Sequence, residues 1–229
     1  MKNILPDFSK GEKLLWLSSI SIIIICSLLS GEADVLSMTA SLIGATSIIF
    51  AAKGHFIGPM LAVVFSVMYG IISYSFGYYG EMITYLGMTG PMALLSLISW
   101  LRNPFKGQKT EVRVNRIKAK EWLVLSAATV VVTFIFYFIL KELGTSNLLP
   151  STFSVTTSFA AVYLTDRRSA YFSLAYAFND LVLIILWILA SLTDISYVSV
   201  TVCFVVFLIN DIYGFISWKK MEKRQQNEY

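Results

Sequence analysis

Long runs of apolar residues follow one another from residue 14 to residue 218 of this 229-residue chain. A helix needs about 20 apolar residues to cross a bilayer core about 30 Å thick. Charged residues make up 14% of the chain and the mean hydropathy is +0.70, whereas about a quarter of the residues in soluble domains are charged. The chain is therefore predicted to be an all-α integral membrane protein.

Eight of these runs are long enough to span the membrane. They are residues 14–30, 35–52, 56–79, 82–101, 122–140, 148–165, 169–192 and 195–218. The first is predicted to be a retained transmembrane helix, because residues 31–34 lead directly into the next run without a signal-peptide cleavage pattern. Since the eight runs occupy most of the chain, no soluble domain is expected.

The basic residues predict the orientation. If the N-terminus is cytoplasmic, eight alternating spans place 17 of the 18 Lys and Arg residues in cytoplasmic segments, and only Lys141 lies outside them. Cytoplasmic loops of membrane proteins carry such an excess, so both termini, including the tail 219–229, are expected in the cytoplasm. The basic loop 102–121 is expected to meet anionic lipid headgroups rather than nucleic acid.

The basic loop divides the spans into two similar sets. Residues 1–34 are predicted to form an extra N-terminal helix, 35–101 a first three-helix bundle, 122–140 a linker helix and 148–218 a second three-helix bundle. Both bundles end in an Ile-Ser-Trp sequence, at residues 98–100 and 216–218. An odd linker helix makes two such repeats parallel. A second match does not fit this pairing, because residues 69–74 of the third span also resemble residues 213–218 of the eighth span.

Helix breakers interrupt the fourth span. Gly87, Gly90 and Pro91 lie within residues 82–101. A proline inside a transmembrane helix frees a backbone carbonyl, which a neighbour, a water molecule or a ligand must satisfy. This segment is predicted to hold either an ordinary kink or a hinge.

Two Asn-Asp pairs lie inside the last two spans, and each is followed by a tryptophan. Asn179-Asp180 precedes Trp187, and Asn210-Asp211 precedes Trp218. In each case Asp and Trp are seven residues apart and so share a helix face. A carboxylate at bilayer depth costs about 2.5–3.5 kcal/mol and faces a bundle interior or a water-filled path. The pattern predicts a polar site for a small solute that contains a ring.

Polar stripes at positions i, i+3, i+4 and i+7 extend this predicted site on the third and eighth spans. The candidate substrate-binding residues are Asn179, Asp180, Trp187, Asn210, Asp211, Tyr213, Tyr69 and Tyr74. The alternative is that the Asn-Asp pairs only cross-link helices and the tryptophans fill volume. Trp100 and Trp218 lie beside basic residues and are expected to anchor the chain at the membrane interface.

Other function classes find little support in the sequence. The single histidine, His55, lies at a predicted turn, and Cys26 and Cys203 are each isolated within a span. No metal site, no cofactor and no catalytic dyad is therefore expected, and the protein is not predicted to be an enzyme. A structural or assembly subunit remains a non-transporter alternative, because polar residues also join membrane helices.

Over residues 35 to 221 the chain resembles the Pnu family of bacterial vitamin transporters. The resemblance rests on the repeated Asn-Asp spans, the 3+1+3 layout, and the stretch Tyr78-Tyr79-Gly80-Glu81-Met82 that leads to Ile98-Ser99-Trp100-Leu101-Arg102-Asn103-Pro104. It implies a bacterial cytoplasmic-membrane protein that is similar in architecture to the SWEET sugar transporters and assembles as a homotrimer. Its binding positions would be Asn179, Trp187, Asn210 and Tyr213.

The resemblance also implies a transport mechanism. Members of the family carry their solute by facilitated diffusion without an ion gradient, and a cytosolic kinase phosphorylates and traps it. The substrate implied here is nicotinamide riboside, and relatives carry thiamine, riboflavin or deoxynucleosides. Two Asp residues inside the membrane, Asp180 and Asp211, favour a cation such as nicotinamide riboside or thiamine over neutral riboflavin.

Overall fold

A computed structural model describes residues 6–29, 35–75, 79–145, 147–193, 195 and 198–228. Residues 30–34, at the end of the predicted N-terminal segment 1–34, and Tyr78, in the stretch that carries the family resemblance, lie outside the described residues. The helices are α1 Lys10–Leu29, α2 Val35–Ala52, α3 Ile57–Ser75, α4 Tyr79–Ile83, α5 Gly90–Arg102, α6 Ala119–Glu142, α7 Leu148–Asp166, α8 Phe172–Ser191 and α9 Val198–Asn227.

The prediction of a helical membrane protein is confirmed. Within the described ranges, seven helical segments are long and apolar enough to cross a membrane. They are Lys10–Leu29, Val35–Ala52, Ile57–Ser75, Gly80–Arg102, Ala119–Glu142, Phe172–Ser191 and Val198–Asn227. Helix α7 has 19 residues but is more polar. It packs against α5, α6 and α8, and because these helices cover much of its surface, α7 needs less apolar surface than a helix that mainly faces lipid.

The fourth span is not one continuous α-helix. Between α4 and α5 the chain forms a π-helical turn over Thr84–Thr89. The backbone N–H of Gly90 donates to the carbonyl of Tyr85, five residues earlier, and Pro91 in the next position has no N–H to donate. The interruption that the glycines and the proline predicted is therefore present. Single π-helical turns of this kind are frequent at functional sites.

The predicted basic loop 102–121 contains a β-hairpin, which the sequence analysis did not predict. Strands β1 Pro104–Phe105 and β2 Gln108–Val112 are antiparallel. Both residues of the connecting turn, Lys106 and Gly107, have positive φ angles, 48° and 74°, as in the two-residue turns that match strand twist. The N–H of Val112 donates to the carbonyl of Gly54 at 2.9 Å, and this bond ties the hairpin to the turn between α2 and α3.

The basic segments meet at one end of the bundle, which we call the basic end. Ion pairs join residues that are far apart in the chain at this end. They link Glu12 to Lys53, Lys106 to Glu228, Arg116 to Glu222, Arg167 to Glu121, and Arg224 to Glu111. The segments that the charge pattern assigned to one side of the membrane are therefore neighbours in space.

Trp100 and Trp218 are not interfacial anchors, which corrects the prediction made from their basic neighbours. Their exposed fractions are 2% and 0%, and their rings contact each other with 5.3 Å between centroids. The indole N–H of Trp100 donates to the carbonyl of Thr165 at 2.9 Å, and that of Trp218 to the carbonyl of Ala51 at 2.7 Å. The carbonyls of Thr165 and Ala51 also accept the backbone N–H groups of Arg168 and Gly54 in the turns that follow α7 and α2, so each indole adds a further bond at a helix end.

Candidate functional site

A central cavity of about 120 Å³ lies between the helices. Its wall is mostly apolar with a small number of polar groups, which is typical of sites for small molecules. The wall is formed by residues of α2 (Gly44, Ser47, Ile48, Ala51), α3 (Gly58, Pro59, Ala62, Phe65, Ser66), the π-turn and α5 (Tyr85, Thr89, Ala93, Ser96), α7 (Ser158, Val162, Thr165), α8 (Phe172, Tyr176, Asn179, Asp180, Leu183) and α9 (Phe204, Phe207, Asp211).

A pair of carboxyl groups forms the most polar part of the wall. Asp180 of α8 and Asp211 of α9 both line the cavity and are 4% exposed. The two side chains face the same cavity from the neighbouring helices α8 and α9. Two carboxylates that share one buried site repel each other, which favours a proton on one of the two groups. With that proton bound, the pair presents one negative charge to the cavity rather than two.

Further polar atoms surround the carboxyl pair. The hydroxyl of Thr157 donates to Oδ1 of Asn179 at 2.8 Å, which fixes the amide at the cavity wall. Among the described residues, Thr89 Oγ1, Ser96 Oγ and Asp180 Oδ2 are buried without a hydrogen-bond partner in the protein. A buried polar atom without a partner costs about 1–3 kcal/mol, so these atoms are suited to receive a ligand or water.

Aromatic rings form much of the remaining wall. Tyr85, on the π-helical turn, lies 4.5 Å from Tyr69 and 6.0 Å from Phe65 between ring centroids. Tyr176 lies on α8, one turn before Asp180, and its ring is 6.3 Å from that of Phe172. Flat faces therefore lie on the α8 side and on the π-turn side of the same cavity.

The structure brings three of the predicted site residues together and places the others elsewhere. Asn179, Asp180 and Asp211 line the cavity. Asn210 points to another face of α9, where its Nδ2 donates to Ser19 Oγ and to the carbonyl of Val206, each at 2.9 Å. Consecutive residues of a helix point about 100° apart, so Asp211 faces the cavity and Asn210 faces α1.

The four predicted aromatic residues lie outside the cavity wall that the described residues form. Tyr213 donates its hydroxyl to Glu12 of α1 at 2.5 Å. Trp187 packs in an apolar cluster beside Leu183, and seven residues place it about 10 Å along the axis from Asp180. Tyr69 contacts the ring of Tyr85, which lines the cavity, but does not itself line it. Tyr74 is 63% exposed.

Sequence reasoning missed the aromatic residues that do line the cavity. Tyr176 precedes Asp180 by four residues, and this spacing alone places both side chains on one face of α8. Tyr85 gave no comparable signal, because its direction depends on the π-helical turn. Ser158 and Thr165 belong to α7, whose polar composition marks it as an interior helix.

The chain matches a known protein family. The family model described as nicotinamide mononucleotide transporter matches residues 34–220. This range includes every residue that lines the cavity and leaves out the whole of α1.

Individual relatives agree with this match. The chain is 27% identical over 200 residues to the nicotinamide riboside transporter PnuC of Neisseria mucosa, covering 84% of this chain and 75% of the relative. It is 24% identical over 223 residues to PnuC of Haemophilus influenzae, covering 95% of both chains. A crystal structure of the vitamin B3 transporter PnuC matches with a TM-score of 0.82 and 23% identity, covering 96% of this chain and 94% of the other. At that identity the structural match shows a shared fold.

Proposed function

Because the chain belongs to the nicotinamide mononucleotide transporter family, we propose that it carries nicotinamide riboside across the membrane through the central cavity. The observation that carries this proposal is the pair of buried carboxyl groups of Asp180 and Asp211, which lines the same cavity as several aromatic rings. Nicotinamide riboside is a cation with a flat ring and a sugar. The relatives' names as nicotinamide riboside transporters support the same substrate.

Each part of this substrate has a matching group on the wall. The positive pyridinium ring lies against Tyr85 and Tyr176, where a cation over an aromatic face gains about 0.5–2 kcal/mol, and the carboxyl pair balances its charge. The ribose hydroxyls and the carboxamide bind to Asn179, Thr89 and Ser96, whose polar atoms line the cavity. In this assignment Trp187, Asn210, Tyr213, Tyr69 and Tyr74 support the site from outside the wall.

Transport is proposed to be facilitated diffusion. One positive charge on the substrate neutralises the one negative charge of the carboxyl pair, so no co-transported ion is needed to enter or leave the site. Net uptake then depends on a cytosolic kinase that converts the riboside to a phosphate. Thiamine is the alternative substrate with the same charge, whereas riboflavin and deoxynucleosides would leave the charge of Asp180 and Asp211 unbalanced.

The architecture proposed for this function is a parallel 3+1+3 arrangement similar to that of SWEET transporters. Residues 35–101 and 148–218 form the two bundles, 122–140 the linker, and 1–34 an additional helix. The matching contacts of Trp100 and Trp218 with the opposite bundle support this pairing. By the positive-inside rule we assign the basic end, and with it both termini, to the cytoplasm. We propose that the protein lies in the cytoplasmic membrane of a bacterium and assembles as a homotrimer.

Purified protein in liposomes tests this proposal. Labelled nicotinamide riboside is expected to equilibrate across the membrane without ATP and without a proton or sodium gradient. A thermal-shift series with nicotinamide riboside, thiamine, riboflavin and a deoxynucleoside identifies the substrate, because a ligand that binds only the folded state raises its stability. Accumulation that requires an ion gradient would exclude facilitated diffusion. A shift with thiamine alone would reassign the substrate.

A further inference from the structure

The sequence Ser-Trp ends both bundles, and each copy contacts the opposite bundle. Ser99 and Trp100 lie at the end of α5. The hydroxyl of Ser99 donates to the carbonyl of Asp166 at 2.7 Å, and the indole of Trp100 donates to the carbonyl of Thr165. The acceptors are the last two residues of α7, the first helix of the second bundle.

The other copy repeats this contact in the reverse direction. The hydroxyl of Ser217 donates to the carbonyl of Ala52 at 2.7 Å, and the indole of Trp218 donates to the carbonyl of Ala51. These acceptors are the last two residues of α2, the first helix of the first bundle. Each Ser-Trp pair therefore binds the end of the opposite first helix with the same two atoms.

Together the two Ser-Trp pairs close one end of the central cavity. The rings of Trp100 and Trp218 contact each other, and Phe172 packs edge-on against both, with centroids 6.2 Å and 4.8 Å away. Phe172 lines the cavity, and so do Ala51 and Thr165, which supply the carbonyls to the two indoles. The cavity thus ends on this cluster, at the basic end.

We propose that the pairs Ser99-Trp100 and Ser217-Trp218 form the gate of the transporter at the basic end, an inference that rests on the proposed transport function. A rocking motion of one bundle against the other breaks both contacts at once, because each pair bridges the two bundles and the indoles touch. The carbonyls of Ala51 and Thr165 then keep the backbone N–H groups of Gly54 and Arg168 as donors, and water can replace the two serine hydroxyls at the carbonyls of Ala52 and Asp166. The gate therefore opens without leaving buried polar atoms unpaired.

Two ion pairs support the gate from outside the bundles. Glu12 near the start of α1 binds Lys53, which follows the end of α2. Glu121 near the start of α6 binds Arg167, which follows the end of α7. Each acid thus holds the end of a helix whose carbonyls receive a Ser-Trp pair. Helices α1 and α6 have equivalent roles in the closed gate.

Cysteine accessibility tests the gate without any substrate. Ala93 lines the cavity and lies seven residues before Trp100 on α5, which is about 10 Å deeper. In a chain with C26S and C203S, A93C reports access to the cavity. We expect W100F and W218F each to raise its rate of labelling by a charged, membrane-impermeant thiol reagent at least about threefold, when the reagent is added to inverted vesicles that expose the basic end.

Matched control variants distinguish the opening of a gate from a general loosening of the fold. W122F makes the same change on α6, at a tryptophan that is 39% exposed, and is expected to leave the labelling rate unchanged. S99A and S217A remove the other bond of each pair and are expected to act in the same direction as the Trp variants. Unchanged labelling in folded W100F, W218F, S99A and S217A, or an equal rise from both faces of the membrane, would overturn the gate. Because labelling needs no vitamin, a wrong substrate would leave this result intact.

Discussion

The amide nitrogen of Asn210 donates a hydrogen bond to the hydroxyl of Ser19 at 2.9 Å, and this contact joins α9 to the N-terminal helix α1. Asn210 is fully buried. The Asn of the second Asn-Asp pair is therefore a helix-to-helix contact, whereas Asn179 of the first pair lines the cavity. The two pairs look alike in the sequence but face different surroundings.

Alanine substitutions at the two Asn residues are expected to change different properties, substrate affinity at Asn179 and stability at Asn210. N179A removes a cavity group and should raise the Kd for nicotinamide riboside about tenfold, equivalent to about 1.4 kcal/mol, with a small change in Tm. N210A should lower the Tm and leave the Kd unchanged, because it breaks a buried contact outside the site. Isothermal titration and thermal unfolding of both variants check this. A weakened Kd for N210A at normal Tm would place Asn210 in the site.

The carboxyl pair gives a prediction about charge. If one proton is shared between Asp180 and Asp211, Asn at either position replaces the protonated partner and keeps one negative charge. The single variants D180N and D211N are therefore expected to bind nicotinamide riboside within a few-fold of the parent. The double variant D180N/D211N removes the charge and should lose at least about 1.4 kcal/mol of binding free energy, which is a tenfold loss of affinity. This loss is a fraction of the attraction of about 4 kcal/mol between unit charges 4 Å apart at an effective dielectric of 20.

The control for this experiment is a neutral ligand. The reduced, uncharged dihydro form of nicotinamide riboside has nearly the same shape, so the double variant should bind it about as well as the parent does. Binding of both forms measured by competition gives the comparison. An equal loss for the charged and the neutral ligand would mean that the pair shapes the cavity and does not balance charge.

Tyr213 is expected to stabilise the fold rather than to bind substrate. Its hydroxyl donates to Glu12, whose side chain is 5% exposed and also binds Lys53. Y213F should cost about 1.5–3 kcal/mol of stability, the range for hydrogen bonds to charged groups, and should leave the Kd unchanged. Y137F makes the same chemical change on α6 and keeps the ring contact with Phe138. A lower affinity at normal Tm in Y213F would contradict the assignment.

Composition and charge predicted the membrane architecture well, because both reflect the bilayer directly. A helix in hydrocarbon must be about 20 residues long and apolar, and these limits are visible in a single sequence. The breakers Gly87, Gly90 and Pro91 likewise predicted where the fourth span is interrupted. The hairpin at residues 104–112 was not predicted, since the Lys106-Gly107 turn is short and its strands depend on contact with Gly54.

The site was harder to predict, since it depends on which way each polar residue faces. Neighbours such as Asn210 and Asp211 point about 100° apart on a helix. Only Asp211 of this pair lines the cavity, whereas Asn179 and Asp180 both do. The neighbour of α9 on the Asn210 side is α1, which no local pattern indicates. The two Ile-Ser-Trp sequences make matching contacts, but the sequence alone could not show that both indoles turn inward to helix ends.

The close approach of α2 and α3 near the cavity gives the last prediction. At Gly58 a Cβ atom would lie 2.6 Å from the backbone nitrogen of Ala51 and 2.7 Å from its Cα. These are backbone atoms, so the clash is relieved only if the two helices separate. G58A is therefore expected to cost about 1–3 kcal/mol through overpacking. It should also displace the carbonyl of Ala51, which accepts the indole of Trp218.

Gly11 provides the matched control, because a Cβ there would meet no atom within 4 Å. Ala is the better helix former by up to about 1 kcal/mol, so G11A should keep or slightly raise the Tm. For a chain of this size each kcal/mol corresponds to roughly 2–4 °C, which thermal unfolding in one detergent resolves. If G58A also raises labelling of A93C from the basic end while G11A does not, the spacing of α2 and α3 controls the gate. A normal Tm in G58A would show that the two helices separate freely at this point.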